Sequence, residues 1–131
     1  MPANNQRKKM NKKLINAVAK QAGGLRNLSE SAKDIANNGA AGGYAGFIYY
    51  EDTVAFTKKN LVPIMQHLNN CADDLGLNAL ELLSGFNCFK NMSEYEIFDG
   101  LMNPKSDDRQ TVYNGLAWFA LEEVARHIIE E

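Results

Sequence analysis

His67 and Cys71 stand four residues apart, the spacing at which one turn of helix presents two side chains to the same point in space. Imidazole and thiolate are common zinc ligands, and the same pair serves as base and nucleophile in cysteine hydrolases. Neither chemistry is complete on these two residues. An open zinc site needs three protein ligands and a closed one four, while Cys88 is the sole other thiol of the chain. Cys71 also falls on the apolar stripe between Leu68 and Leu75, where a buried structural cysteine is expected. The sequence therefore assigns no metal ligand, no cofactor and no catalytic residue, and a protein that is not an enzyme is expected. His127, between Arg126 and Ile128 near the end of a helical run, reads as a surface histidine favoured by the helix dipole.

The second unusual stretch runs from Gly39 to Thr53, where four glycines and three alanines flank large rings. Gly42, Gly43 and Gly46 remove side chains where backbone turns or approaches a neighbour, and Tyr44, Phe47, Tyr49 and Tyr50 place aromatic rings beside the gap. A phosphate loop would need a Gly-Lys-Ser/Thr ending, and a dinucleotide fingerprint would need a preceding strand; neither is present. Four rings on one short segment cannot all turn inward if its side chains alternate. Tyr44, Phe47, Tyr49 and Tyr50 are accordingly the candidate partner-binding residues, since Tyr and Trp dominate the anchors of protein interfaces.

Charge is distributed unevenly. Residues 1–30 carry seven cations against the single acid Glu30, and the remainder holds fifteen acids against seven cations, for a net charge of -2. Arg7, Lys8, Lys9, Lys12 and Lys13 form a basic N-terminal cluster able to touch nucleic-acid phosphates. Residues 18–38 also have the outline of a helix-turn-helix. The second helix would nevertheless bring Glu30 and Asp34 to the phosphates with few side chains able to read bases.

These residues need a scaffold, and its periodicity is helical. Residues 1–9 read as a flexible basic arm, and 10–131 as a single helical domain. Leu14, Ile15, Val18 and Ala19 begin a helix that Gly23-Gly24 ends; Ser29 is a candidate cap for a short helix through Ala32 and Ile35. Leu61, Ile64, Met65, Leu68, Ala72 and Leu75 mark an amphipathic helix over Asn60–Leu75; Pro63 fits its first turn if Asn60 caps a new helix, and kinks the chain near residue 60 if the helix instead runs through from Thr53. Ser93 caps another. From Arg109 to Ile129 one long helix is expected, apolar all round between Gly115 and Leu121, hence central. Strand-like side chains over Phe47–Tyr50 allow a short β-hairpin near residues 44–50 in this mainly α fold. Two thiols, no apolar h-region and no apolar run near the ~18 residues of a membrane span give the expectation of a cytoplasmic protein with reduced cysteines.

The runs Ile35–Thr53, containing GGYAGFIYYEDT, and Gly115–Arg126, GLAWFALEEVAR, resemble a family of small accessory proteins carried by bacteriophages, prophages and plasmids. The resemblance covers about residues 30–129 and transfers no catalytic residue. It implies a non-enzymatic binder that inhibits or remodels a host protein or ribonucleoprotein complex in the bacterial cytoplasm, with an anti-defence role such as blocking a CRISPR effector. A DNA-binding or regulatory protein using the basic arm and the first two helices is the alternative.

Overall fold

The computed structural model describes residues 10–130; the arm at 1–9, and with it Arg7, Lys8 and Lys9, lies outside the described residues. Six α-helices occur among them: α1 (Lys12–Gln21), α2 (Leu25–Asn38), α3 (Tyr50–Asp74), α4 (Ala79–Ser84), α5 (Glu94–Met102) and α6 (Arg109–Glu130). The fold is all-helical, with no strand among the described residues. α6 runs through the middle, packing most extensively on α2 and α3 and also on α1 and α5.

The central position of α6 follows from its sequence. Val112, Leu116, Ala117, Ala120, Leu121, Val124 and Ala125 are completely buried and point in several directions around the axis. A helix apolar all round has no face to give to water and must be surrounded. Small residues let neighbours come close. A β-carbon on Gly115 would stand 2.4 Å from Cζ of Phe89, so the Phe89 ring packs directly on the α6 backbone. Two threonines of α3 fasten it to α6: Thr57 donates to the Tyr113 carbonyl at 2.6 Å, and Thr53 to Asn114 Oδ1 at 2.5 Å. All three side chains of that pair of contacts are buried, so each hydroxyl must find a partner inside the protein.

Of the two arrangements open to Pro63, the structure has the kinked continuous helix. α3 is continuous from Tyr50 to Asp74 but broken in direction at Asn60, whose φ of -119° and ψ of 25° are not helical. Proline at 63 has no N–H to give and its ring crowds the preceding turn, so the residue before that turn leaves the helix. The Asn60 side chain donates to the Phe56 carbonyl at 2.9 Å, satisfying an acceptor at the kink. Ser93 caps α5 in a full capping box with Glu96, and Asn78 does the same for α4 with Glu81.

Two local expectations are corrected. α2 starts at Leu25 rather than at Ser29, because Gly24 ends the turn at once and leaves Leu25 as the first helical residue. The hairpin near 44–50 does not form. Instead the Phe47 N–H donates to the Tyr44 carbonyl, closing a four-residue turn with Gly46 third at φ 81°. That conformation reverses the chain and ends any strand pairing. Phe47 alone then drops into the core, edge-on to Phe56 with ring centroids 5.2 Å apart.

Candidate functional site

The glycine segment is built for close approach to its own protein. Gly46 sits against the Gln21 carbonyl, and the Gln21 side chain donates to the Gly46 carbonyl at 2.8 Å. Further back, the Ala40 N–H donates to Glu122 Oε2 at 2.8 Å. A donor that would cradle a phosphate is thus already taken by a carboxylate of the chain, which fits the absence of a phosphate-loop ending in the sequence.

The four candidate aromatic residues separate. Phe47 is buried and therefore a core residue rather than a partner contact. Tyr44 is half-buried, and its hydroxyl donates to the Asp34 carboxylate. That bond, with a second from Asn38, holds Asp34 below the ordinary carboxylate value, and the same carboxylate raises the Tyr44 phenol. Tyr49 and Tyr50 stay in solvent at 62% and 46% exposure, joined by Ile48 at 55%. Ile48 has no ring to mark it in the sequence; its place between Phe47 and the Tyr49-Tyr50 pair is the only signal.

Among the basic candidates that are described, Lys12 and Lys13 are exposed in the first turn of α1. On α2, Arg26 lies 3.5 Å from Glu30, an exposed i, i+4 pair, and Asp34 is engaged as above. The helix in the recognition position therefore presents an acid-bearing, self-paired surface.

The structure adds a third residue to the His67–Cys71 pair. His67 and Cys71, one turn apart on α3, meet Glu123 of α6. His67 Nε2 is 2.9 Å from Glu123 Oε1, Cys71 Sγ is 3.5 Å from the same nitrogen, and Cys71 Sγ is 3.7 Å from the same oxygen. Arg126 donates to the other carboxylate oxygen, Oε2, at 2.6 Å and so turns Oε1 toward the pair. The imidazole lies against Phe119, ring centroids 5.7 Å apart. Burial pushes the Glu123 carboxyl up, but the His67 hydrogen bond and the His67 and Arg126 charges outweigh it and leave the group below its usual value. Burial first, and then the Glu123 charge, push the Cys71 thiol up to about 12.

This is not a nucleophile–base relay. A relay needs the carboxylate on one ring nitrogen and the thiol on the other, whereas Glu123 and Cys71 both address Nε2. A thiol held near 12 is also protonated at neutral pH. The three residues line a groove of about 1180 Å³ whose walls include Phe86, Trp118 and Phe119. Trp118, within the run that is apolar all round in the sequence, is half-buried in this wall, and its buried Nε1–H has no hydrogen-bond partner among the described residues.

Among the described residues no helix is long and apolar enough to cross a membrane. A family model described as a domain of unknown function (DUF7222) matches residues 8–131, nearly the whole chain, and the protein belongs to that family. No curated protein and no solved structure gives a significant match.

Proposed function

We propose that this DUF7222 protein is a non-enzymatic binder of a host protein or ribonucleoprotein complex, an accessory factor of a mobile element that acts against host defence. The observation that carries the binding part is the run Ile48-Tyr49-Tyr50, three consecutive large side chains left in solvent. They are presented on a backbone pinned by the Gln21–Gly46 hydrogen bond, the Tyr44–Asp34 hydrogen bond and the buried Phe47 ring. Binding through such a segment loses little loop entropy, which is what converts exposed aromatic area into affinity. The resemblance of Gly42–Thr53 and Gly115–Arg126 to proteins of phages and plasmids supports the choice of partner, a host complex such as a CRISPR effector.

The test is phage plating on a CRISPR-protected host expressing the protein. Restored plating with the wild type, lost in an equally abundant Tyr49→Ala/Tyr50→Ala variant, is the expected result. Unrestored plating refutes the anti-defence role in that system, and restoration by both forms refutes the aromatic surface.

One observation favours nucleic-acid contact as a second reading. Lys12 and Lys13 occupy the first turn of α1, which holds no acidic residue, at the helix end where the dipole repels cations. A phosphate partner would relieve that repulsion. Salt-dependent retention on DNA, lost in Lys12→Ala/Lys13→Ala, is the outcome this reading requires.

A further inference from the structure

We propose that His67 Nε2, the Cys71 thiolate and Glu123 Oε1 bind one divalent cation of the zinc class, joining α3 to α6 and leaving the fourth coordination position open to the groove. The first support is geometric. For tetrahedral zinc with ordinary bond lengths, the edges between nitrogen and oxygen, sulfur and nitrogen, and sulfur and oxygen are about 3.4, 3.6 and 3.6 Å. The corresponding separations here are 2.9, 3.5 and 3.7 Å. Two edges already match, and the third opens by about half an ångström when the direct His67–Glu123 hydrogen bond is exchanged for two bonds to the metal.

The second support is chemical. Thiolate and imidazole with a single carboxylate select zinc, cobalt and their neighbours over magnesium and calcium, which take oxygen ligands. The thiolate and carboxylate supply two negative charges against a dication, and the thiol proton leaves to solvent as the sulfur–metal bond forms. The third support lies behind the ligands. Arg126 fixes Glu123 through the oxygen that faces away from His67, the kind of outer contact that orients a ligating carboxylate. His67 and Cys71 are one helical turn apart on α3, and the Phe119 ring lies against the imidazole, so little rearrangement is needed. Because all three residues line the groove, the fourth position is reachable by water or by a donor atom of a small ligand.

The test uses chelator-treated full-length protein titrated with Co²⁺ and, separately, Zn²⁺, each alone. The expected result is uptake of one equivalent, a thiolate-to-cobalt charge-transfer band with the intense visible bands of tetrahedral Co²⁺, and a higher Tm with Zn²⁺. Cys71→Ala abolishes the charge-transfer band, and Glu123→Gln weakens uptake at least about tenfold. Circular dichroism confirms the fold of each variant, and Cys88→Ala retains the band. No uptake by the wild type, a band that survives Cys71→Ala in folded protein, or a band lost in Cys88→Ala overturns the assignment. These readouts involve no host partner, so they stand or fall separately from the binding function proposed above.

Discussion

The carbonyl oxygen of Gln21 occupies the space a β-carbon on Gly46 would need, only 2.0 Å from its ideal position. The end of α1 and the glycine turn are therefore in backbone contact, and Gly46 also holds a φ of 81° that side chains disfavour. Gly46→Ala must move backbone as well as strain it. A loss of about 2 to 4 kcal/mol in urea unfolding is expected. Gly43→Ala has the positive φ but meets only the Ile48 side chain at 3.6 Å, so it should cost about 1 kcal/mol. Equal losses would mean that the contact with Gln21 yields freely.

Gly115 tests the centre of the fold. An alanine β-carbon there meets Phe89 at 2.4 and 2.7 Å and Cys88 Sγ at 3.0 Å, and the Phe89 ring is completely buried with nowhere to retreat. Gly115→Ala gains helix propensity of about 1 kcal/mol and still loses, by roughly 1 to 3 kcal/mol net, because overpacking is the larger effect. Adding Phe89→Leu should make the combined loss smaller than the sum of the two single losses. Strict additivity would show that the two residues do not compete for the same space.

The Tyr44–Asp34 hydrogen bond should make stability depend on pH at both ends. Asp34 has a folded value below its ordinary one, so its contribution is present above the usual carboxylate range and is lost as pH falls through the lowered value. Tyr44 has a raised value, so its contribution is complete below the ordinary phenol value and is lost as pH rises through the raised one. Tyr44→Phe should lower the urea midpoint at neutral pH and converge with the wild type in acid. A gap that persists in acid would mean that the Tyr44 hydroxyl stabilises the fold without the Asp34 charge.

Much of this fold was legible because helices repeat. The pattern of α6 showed its central place, and Pro63 marked the break at Asn60, since both signals are local. The strand-like side chains of Phe47–Tyr50 point to a hairpin that does not form. Backbone at Gly46 overruled them, and a positive φ leaves no trace in the pattern of hydrophobic residues. The His67–Cys71 pair is visible in the sequence, but its third partner is not. Glu123 lies 52 residues beyond Cys71, a separation only the packing of α6 on α3 closes. The available signal was the charged pair Glu122-Glu123 directly after the all-round apolar run Gly115–Leu121, where an acid near the core needs a partner.

The two cysteines should differ in reactivity in metal-free protein. Burial raises both thiols, Cys88 to about 11 and Cys71, which also faces the Glu123 charge, to about 12; Cys88 is nevertheless exposed to reagent where Cys71 is half-buried. At about pH 8 a thiol raised as far as Cys71 is almost wholly protonated, whereas an unperturbed cysteine is roughly a quarter thiolate. Alkylation followed by peptide mass analysis should label Cys88 first. Cys71 should react at least about a hundredfold more slowly than in denatured protein. Comparable rates in the folded and denatured states would remove the protected environment assigned to Cys71.

The aromatic segment yields the sharpest division between core and surface. Phe47 is 1% exposed and packs on Phe56, so Phe47→Ala should cost about 3 to 5 kcal/mol in stability. Tyr49, two residues on, is 62% exposed, and Tyr49→Ala should change stability by no more than about 0.5 kcal/mol. Partner binding reverses the order of interest: if Ile48, Tyr49 and Tyr50 form the contact surface, Tyr49→Ala or Tyr50→Ala should weaken the complex by about 2 kcal/mol or more while the fold is untouched. Isothermal titration against the isolated partner, run beside chemical denaturation of the same variants, measures both. Full affinity in folded Tyr49→Ala and in folded Tyr50→Ala would exclude these rings as anchors, and a large stability loss in Tyr49→Ala would place that ring in the core with Phe47.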